Sequence, residues 1–284
     1  MRISSVVKSI KPSGIRRFFD LAEKDPDVIS LGVGEPDFIT PKAISDAAVR
    51  SISEGNTHYT SNDGMFSLRH KIADYLEKKY NLHYDDEGEI IITVGASEAV
   101  DIALSTVISP GDEVLIPEPC FVSYAPCTAL AGGIPVSVPT RAENGFKLTV
   151  ADLEKHFTSK TRALIISYPN NPTGAIMSRS ELEPIAEFVK KHDLAVISDE
   201  IYSELTYGQK HFSIAAFPGM KDHTFYINGF SKAFAMTGWR IGYACGHPVL
   251  IEAMNKIHQY AIMCSPTTAQ YAASEALSSC EDEV

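Results

Sequence analysis

The chain has 284 residues, of which 44% are hydrophobic and 21% are charged, and its formal net charge is −11. This composition is typical of a folded protein with one large domain or two smaller ones. The acidic balance and the lack of a basic stripe argue against nucleic acid as a partner, and no apolar run is long enough to cross a membrane. The five cysteines show no paired CxxC spacing, so we expect neither a metal site nor a disulfide framework.

Residues 1–43 are predicted to form an arm and a loop, because Pro36 and Pro41 interrupt any helix. The periodicity of the remaining chain predicts helices at 42–53, 66–80, 97–107, 121–131, 179–191, 251–260 and 269–277. Short apolar runs predict strands at 90–94, 113–116, 134–138, 163–167, 194–198 and 224–228. Strands that alternate with helices predict an α/β fold, with a mostly parallel sheet covered on both faces.

The first candidate binding motif lies between the strand at 90–94 and the helix at 97–107. Its turn is Gly95-Ala96-Ser97. A helix N-terminus binds phosphate through free N–H groups and the helix dipole. Small residues are also needed wherever a strand and a helix pack closely, so this turn alone does not identify a site.

A second motif follows the strand at 163–167 and reads Tyr168-Pro-Asn-Asn-Pro-Thr-Gly174. Its prolines and its glycine predict a fixed turn rather than a helix. Such a turn can hold the Asn171 amide toward a ligand. Surface loops of Asn, Pro and Gly are common, but the full string is much less common.

The third motif, Asp199-Glu-Ile-Tyr202, directly follows the strand at 194–198. Open α/β sheets carry their chemistry at strand ends. A carboxylate at Asp199 can keep a pyridine nitrogen of a ligand protonated, and Tyr202 can reach a phenolic oxygen on the same ring. The alternatives are a helix N-cap for Asp199 and an ordinary half-buried aromatic residue for Tyr202.

The most informative motif follows the strand at 224–228, where Ser231-Lys232 precedes Arg240 by eight residues. Pyridoxal phosphate needs an amine for its Schiff base, and cationic and hydroxyl groups for its phosphate. Most lysines are solvated surface groups, and this motif alone would leave that alternative competitive. The three preceding motifs favour the cofactor, because independent motifs in the right order reduce the risk of a chance match.

Together, these segments resemble class I/II aminotransferases, which are fold-type-I enzymes that depend on pyridoxal phosphate. The resemblance extends from about residue 30 to the end of the chain. It rests on Leu31–Phe38, Tyr59-Thr60 with Gly64 and Leu68-Arg69, Gly95–Ser97, Asn170–Gly174, Asp199–Tyr202 and Ser231-Lys232 with Arg240. The fold that it implies is a mostly parallel mixed sheet with helices on both faces and one antiparallel strand, for which 240–244 is the candidate.

The resemblance implies three catalytic residues. Lys232 would form the Schiff base with the cofactor and shuttle the proton, and Asp199 would pair with the pyridine nitrogen. Tyr202 and Asn171 would donate hydrogen bonds to the phenolic oxygen of the ring. Asn171 and the backbone of Gly34 would also contact the substrate.

The same resemblance assigns the remaining cofactor contacts. The phosphate would be held by Ser231, by Arg240 and by the backbone of Ala96 and Ser97. Phe121 matches the aromatic position that stacks on the cofactor ring; Phe keeps the stacking face that Tyr or Trp provides there and lacks their polar group. A further residue, Tyr59, matches a tyrosine that reaches the phosphate bound by the partner subunit.

The activity implied is transamination between an α-amino acid and a 2-oxo acid by a ping-pong mechanism, in a cytoplasmic homodimer. Two alternatives stay open at this point. A β-lyase of the same fold would use the same lysine and cofactor, and a non-catalytic protein could retain the cofactor site. The amino-acid substrate cannot be read from these motifs.

The resemblance also suggests a domain division. Residues 1–43 would form the N-terminal arm and a small-domain segment, and 44–284 the large cofactor-binding domain. Family members continue well beyond residue 284, so we expect the small C-terminal domain to be largely absent. The arginine that binds the substrate α-carboxylate is expected in that continuation, and we therefore expect weak turnover from the chain as written.

Overall fold

The computed structural model of the protein describes residues 2–12, 27 and 34–284. Within these residues the α-helices are α1 (Ser5–Ser9), α2 (Lys42–Ser53), α3 (Phe66–Tyr80), α4 (Gly95–Val107), α5 (Tyr124–Leu130), α6 (Val150–His156), α7 (Arg179–His192), α8 (Pro248–Ala261) and α9 (Thr267–Ser279). The strands there are β1 (Ile90–Thr93), β2 (Glu113–Glu118), β3 (Ile134–Pro139), β4 (Thr161–Ile166), β5 (Ala195–Asp199), β6 (Thr224–Gly229) and β7 (Gly242–Cys245). From β1 to β5 the strands and helices alternate, which confirms the predicted α/β pattern.

The strands of the described residues form one seven-stranded sheet in the order β1-β7-β6-β5-β4-β2-β3. Neighbours from β3 to β6 are parallel, whereas β7 runs antiparallel to both β6 and β1. The predicted mixed sheet with one antiparallel strand is confirmed. That strand occupies Gly242–Cys245 and begins two residues later than the candidate at 240–244.

Helices cover both faces of this sheet, as the side chains of β1 show. In β1, Ile91 packs in the cluster that contains residues of α4 and α8. Its neighbours Ile90 and Ile92 pack in the cluster that contains residues of α3 and α9. Successive side chains of a strand point to opposite faces, and parallel sheets covered twice therefore read as continuous apolar runs.

Two of the helix boundaries that differ from the prediction lie beside site residues. The helix predicted at 97–107 begins at Gly95, so Ala96 and Ser97 lie in its first turn. The helix predicted at 121–131 begins at Tyr124, which leaves Phe121 in the turn before it. Both differences arise at turns, where apolar periodicity carries little information.

Two short helices were not predicted. Helix α1 lies inside the segment predicted to be an arm and a loop. Helix α6 begins after Thr149, whose hydroxyl accepts a hydrogen bond from the Asp152 N–H at 3.3 Å. The T-x-x-D spacing is a capping signal that the apolar periodicity of so short a helix did not reveal.

No helix in residues 2–12 and 34–284 is long and apolar enough to span a bilayer. Those residues also contain no group of three or more His, Cys, Asp or Glu side chains that could hold a metal ion.

Candidate active site

The motif residues converge at the carboxyl ends of three adjacent parallel strands. Asn171 lies beyond β4, Asp199 ends β5, and Lys232 lies beyond β6. The N-terminus of α4 meets them at the same edge through Arg240, which packs against Gly95. Parallel strands bring their carboxyl ends to one edge of a sheet, and this is where ligands of open α/β folds bind.

Asp199 is buried at the end of β5. Its Oδ2 accepts a hydrogen bond from the Tyr124 hydroxyl at 2.7 Å, and its Oδ1 accepts one from the Ile201 N–H at 3.3 Å. Burial raises the pKa of this carboxyl, and the two hydrogen bonds partly oppose that effect. A cationic group placed against Asp199 would favour the ionised carboxylate and would itself be stabilised.

Tyr124 is a site residue that the sequence did not reveal. Its side chain is buried, and its ring meets Phe121 edge-on at a centroid distance of 5.7 Å. Burial and the nearby Asp199 charge raise the pKa of its phenol well above the ordinary value, so the hydroxyl stays protonated and donates to the carboxylate. The pairing joins positions 75 residues apart, and no local spacing predicts it.

The turn that carries Asn171 is fixed, as predicted. Within it, the Thr173 hydroxyl donates to the Asn170 side chain at 2.9 Å, and the Gly174 N–H donates to the Asn170 carbonyl at 2.8 Å. The turn presents the Asn171 amide to the Tyr202 hydroxyl, 3.3 Å away. Burial raises the pKa of Tyr202, so this phenol also remains a potential donor at neutral pH.

Lys232 is half-buried beside this pair. Its ammonium lies 5.7 Å from the centroid of the Tyr202 ring and donates a hydrogen bond to the Gly34 carbonyl. Burial lowers the pKa of Lys232, with Arg240 acting in the same direction and Glu35 opposing it. A lysine with a lowered pKa has more of its neutral amine available as a nucleophile and a base.

A candidate anion site lies where the loop after β6 meets the first turn of α4. A Cβ atom at Gly95 would lie 2.6 Å from Nη2 of Arg240, so glycine allows the guanidinium to pack against the helix start. Arg240 has φ 52°, a left-handed conformation that costs a non-glycine residue about 1–2 kcal/mol. Its Nη1 donates to the Thr237 carbonyl at 2.9 Å, which fixes the side chain.

The residues at this helix start suit a phosphate group. Ala96 and Ser97 lie in the first turn of α4, where N–H groups lack intrahelical partners. Ser231 is buried in the same loop that bears Arg240. Free N–H groups, a hydroxyl and a guanidinium are the donors that a phosphate dianion requires, and an amine lies close by at Lys232. The chain therefore fits pyridoxal phosphate at both its phosphate and its aldehyde.

Two of the predicted residues take less part in this cluster. Phe121 is half-buried and approaches it through Tyr124. Tyr59 lies between α2 and α3, and 77% of its side chain is exposed. Its predicted contact is with the cofactor of a partner subunit, and within this chain the structure does not bring it to Lys232.

Comparison with known proteins identifies the family. The model of the family described as "Aminotransferase class I and II" matches residues 26–284. The chain belongs to the class I and II aminotransferases. Among relatives of this aminotransferase is YugH of Bacillus subtilis (strain 168), whose name describes it as a candidate aminotransferase. The two are 55% identical over 99% of this chain and 73% of the relative.

Further relatives agree with this. An aspartate aminotransferase of Pyrococcus abyssi is 49% identical over 98% of this chain and 72% of its own length. A crystal structure of an aromatic aminotransferase from Pyrococcus horikoshii OT3 superposes with a TM-score of 0.88 and 48% identity, covering 93% of this chain and 71% of that one.

The aminotransferase is thus a pyridoxal-phosphate-dependent enzyme that catalyses transamination between an amino acid and a 2-oxo acid. The predicted fold, cofactor and reaction class are confirmed. Of the two alternatives, neither the β-lyase nor the non-catalytic protein is favoured, since these relatives are aminotransferases. The roles assigned to individual residues remain predictions.

Proposed function

We propose that Lys232 is the catalytic amine of this transamination and that Asp199, Tyr202 and Asn171 surround the cofactor ring. One observation carries the proposal: the half-buried Lys232 amine lies over the Tyr202 ring, whose hydroxyl accepts from Asn171 at 3.3 Å. Three parallel strands deliver these groups to one edge of the sheet, where the buried Asp199 also lies.

Each of these residues has a defined task. Bound pyridoxal phosphate supplies an aldehyde that reacts with amines and a ring that withdraws electron density from the substrate α-carbon. Lys232 removes the α-proton as a base and later returns it as an acid, and its lowered pKa favours the first task. Asp199 holds a proton on the ring nitrogen, because a buried carboxylate is stabilised by a cationic partner. The same Lys232 amine serves both half-reactions, as a ping-pong sequence requires.

The phosphate is assigned to Arg240, Ser231 and the N–H groups of Ala96 and Ser97. Arg240 supplies a permanent charge, and the start of α4 supplies its dipole. The tight packing of Arg240 against Gly95 supports this assignment, because it brings the guanidinium to the helix start. Phe121 is assigned to the face of the cofactor ring.

The substrates are an amino acid and a 2-oxo acid, and we assign their contacts to Asn171 and the Gly34 backbone. The Gly34 carbonyl already lies within hydrogen-bonding reach of Lys232, which supports a place for Gly34 beside the reacting carbon. Relatives named for aspartate and for aromatic amino acids make these the first donors to test. Turnover of both classes, with 2-oxoglutarate as acceptor, would give the specificity as a ratio of kcat/KM values.

We further propose a homodimer in which Tyr59 reaches the partner's cofactor phosphate. Tyr59 and Tyr260 are 77% and 88% exposed, and Met263 adds further apolar surface. The two segments lie together, because the Asn62 amide donates to the Met263 carbonyl at 2.7 Å. Contiguous exposed aromatic surface is typical of an interface. Sedimentation equilibrium should give twice the chain mass, and a monomer at micromolar concentration would contradict the proposal.

The domain division is also proposed, with 1–43 as the arm and small-domain segment and 44–284 as the large domain. In the described part of the chain, the buried apolar clusters begin at Ile44 and include no earlier residue. Limited proteolysis should therefore cut before residue 44 first. A cytoplasmic location is supported by five free cysteine thiols, and cell fractionation would test it.

The role of Lys232 is tested by adding pyridoxal phosphate to the purified chain and recording its visible spectrum. We expect the absorbance band that bonding to a lysine gives the cofactor, and we expect Lys232→Ala to lose it together with transamination. Lys256→Ala is the matched control, because Lys256 lies on α8 with 64% of its side chain exposed and pairs with Glu252. An unchanged band and near-normal turnover in Lys232→Ala would contradict the assignment.

A second step separates cofactor binding from chemistry. A mixture of amino acids is added to the loaded chain, and the shift to the amine form of the cofactor is followed. A shift in the wild type and the Lys256→Ala control, but not in Lys232→Ala, would support Lys232 as the proton carrier. A band that forms and does not shift would mean that the lysine is correct and that the substrate contacts of the chain are insufficient.

A further inference from the structure

Two hydrogen bonds in series cross from the segment before α2 to the loop after β6. The indole N–H of Trp239 donates to Oγ1 of Thr40 at 3.0 Å, and the Thr40 hydroxyl donates to the Ala235 carbonyl at 2.6 Å. The Thr40 hydroxyl therefore links Thr40 to two residues that lie 195 and 199 positions later in the sequence. Because the hydroxyl is used as both acceptor and donor, its removal breaks both bonds at once.

The loop on one side of this relay carries two of the proposed cofactor contacts. Ala235 and Trp239 lie between Lys232 and Arg240 in the chain. Ala235 has φ 51° and Arg240 has φ 52°, both in the left-handed region that non-glycine residues rarely adopt. Such conformations persist only where the surrounding structure holds them, and the bond from Thr40 to the Ala235 carbonyl is one such restraint.

The segment on the other side of the relay, Gly34–Thr40, contacts the Lys232 amine through its first residue. Its first residue offers the carbonyl that accepts from Lys232, and Glu35 contributes a negative charge near the same amine. Side chains hold this segment weakly, because Phe38 and Ile39 are 77% and 91% exposed. Among the described residues, its hydrogen bonds to the rest of the chain lie at its two ends, Gly34 and Thr40.

An open cavity of about 610 Å³ lies between the segment and the loop. Its walls include Phe38 and Thr40 on one side and Ala235 and Trp239 on the other. The two elements are therefore not packed against each other over a broad area. The relay through Thr40 spans the edge of this cavity and limits how far the two walls can separate.

We propose that Thr40 is a positioning residue that holds the Gly34–Thr40 segment in register with the loop bearing Lys232 and Arg240. Thr40 acts through both elements, and we assign it no contact with the substrate or the cofactor. Its hydroxyl keeps the Gly34 carbonyl at the Lys232 amine and restrains the turn that sets the distance from that amine to Arg240. The consequence for catalysis rests on the proposed role of Lys232, whereas the relay itself does not.

The test uses two substitutions of Thr40 and one of Trp239. Thr40→Val removes the hydroxyl and both bonds at nearly constant shape, and Thr40→Ser keeps the hydroxyl. Trp239→Phe removes the N–H donor to Thr40 with part of the ring and leaves the bond from Thr40 to Ala235. Thr106→Val is the matched control, because it removes a threonine bond of 2.7 Å to the Ile102 carbonyl inside α4. Thermal unfolding of each variant verifies that it folds.

The first readout is hydrogen–deuterium exchange of the chain without cofactor. Thr40→Val should speed exchange in peptides covering 34–40 and 233–240 together, by about fivefold for each hydrogen bond lost. Trp239→Phe should give a smaller increase, and Thr40→Ser should return both peptides toward wild type. Faster exchange in only one of the two segments, or the same change in Thr106→Val, would overturn the relay.

The second readout is the loaded enzyme. Thr40→Val should release pyridoxal phosphate faster and should lower kcat about fivefold to tenfold with a smaller change in KM, and Thr40→Ser should rescue both. Unchanged release and kcat, despite faster exchange, would overturn the positioning role. Failure of the proposed function is distinguished by Lys232→Ala, whose retained absorbance band would remove the lysine assignment and leave the exchange result intact.

Discussion

Two buried carboxylates follow one another at the end of β5, and their surroundings differ. Asp199 accepts hydrogen bonds from a tyrosine hydroxyl and a backbone N–H. The next residue, Glu200, accepts from two serine hydroxyls and contacts the His211 imidazole through its other carboxylate oxygen. The side chains of Glu200 and His211 are only 3% and 7% exposed. Successive residues of an extended chain point to opposite faces, so the two carboxylates serve different sides of the sheet.

The two carboxylates differ in whether the chain supplies a partner that can carry a positive charge. Glu200 meets the His211 imidazole, a group able to carry a positive charge, at its Oε2, and its Oε1 accepts from the Ser198 and Ser213 hydroxyls. Among the described residues, the hydrogen-bond partners of Asp199 are neutral groups, and burial raises the pKa of its carboxyl. A buried carboxylate without a cationic partner is costly. Of these two carboxylates, Asp199 is therefore the one that would be stabilised more by a bound cationic group.

The largest expected effect comes from Asp199→Asn, which removes the charge and keeps the shape. We expect kcat to fall about 10²- to 10³-fold, because the proton on the cofactor ring loses its counter-charge. We expect the melting temperature of the chain without cofactor to stay equal or to rise, because a buried charge is relieved. Steady-state kinetics and thermal unfolding measure the two effects. Activity within threefold of wild type would remove Asp199 from the site.

The same chemical change one residue later should do the opposite. Glu200→Gln removes the carboxylate charge from the buried contact with His211 and should lower the free energy of unfolding by about 2 kcal/mol. The turnover of the folded fraction should stay within about threefold of wild type, since the Glu200 side chain points to the face of the sheet opposite to that of Asp199. Denaturant unfolding gives the first value, and active-site titration with pyridoxal phosphate corrects the second. A large loss of kcat without a loss of stability would abolish the contrast.

The smallest effect is a pH dependence of the chain without cofactor. The pKa of Asp199 is raised from its ordinary value of 3.8 by burial, so the folded state holds this proton more tightly than the unfolded state. Stability from this group is therefore greatest below pH 3.8 and declines as pH rises through the raised pKa, at no more than about 1.4 kcal/mol per pH unit. Asp199→Asn should lack that decline. Parallel pH profiles of the two proteins would contradict it.

The sequence predicted the local half of this site. Asp199, Asn171 and Lys232 each follow an apolar run, and a strand end fixes their place whatever the distant packing. Gly95-Ala96-Ser97 is similarly local, since a strand, a turn and a helix define it.

The remaining half depends on contacts that no spacing encodes. Tyr124 reaches Asp199 across 75 positions, and Thr40 reaches Ala235 across 195. Each contact depends on how entire helices, strands and loops pack together. The pattern of apolar residues is compatible with many such arrangements, so it does not predict either contact. Helix α6 was not predicted for a different reason: its seven residues are too few to show the helical periodicity of apolar side chains.

The order of the strands has a consequence for how the site assembles. The antiparallel pair β6–β7 is a hairpin, and its connection, 230–241, carries both Lys232 and Arg240. Closing so short a loop costs less chain entropy than pairing β7 with its other neighbour, β1, which lies far away in the sequence. The amine and the guanidinium can therefore reach their relative positions early in folding, as one local unit, before the helix that completes the anion site docks onto them. A newly made chain would thus form its cofactor-bonding turn early in folding, although this turn is synthesised after six of the seven strands of the described sheet.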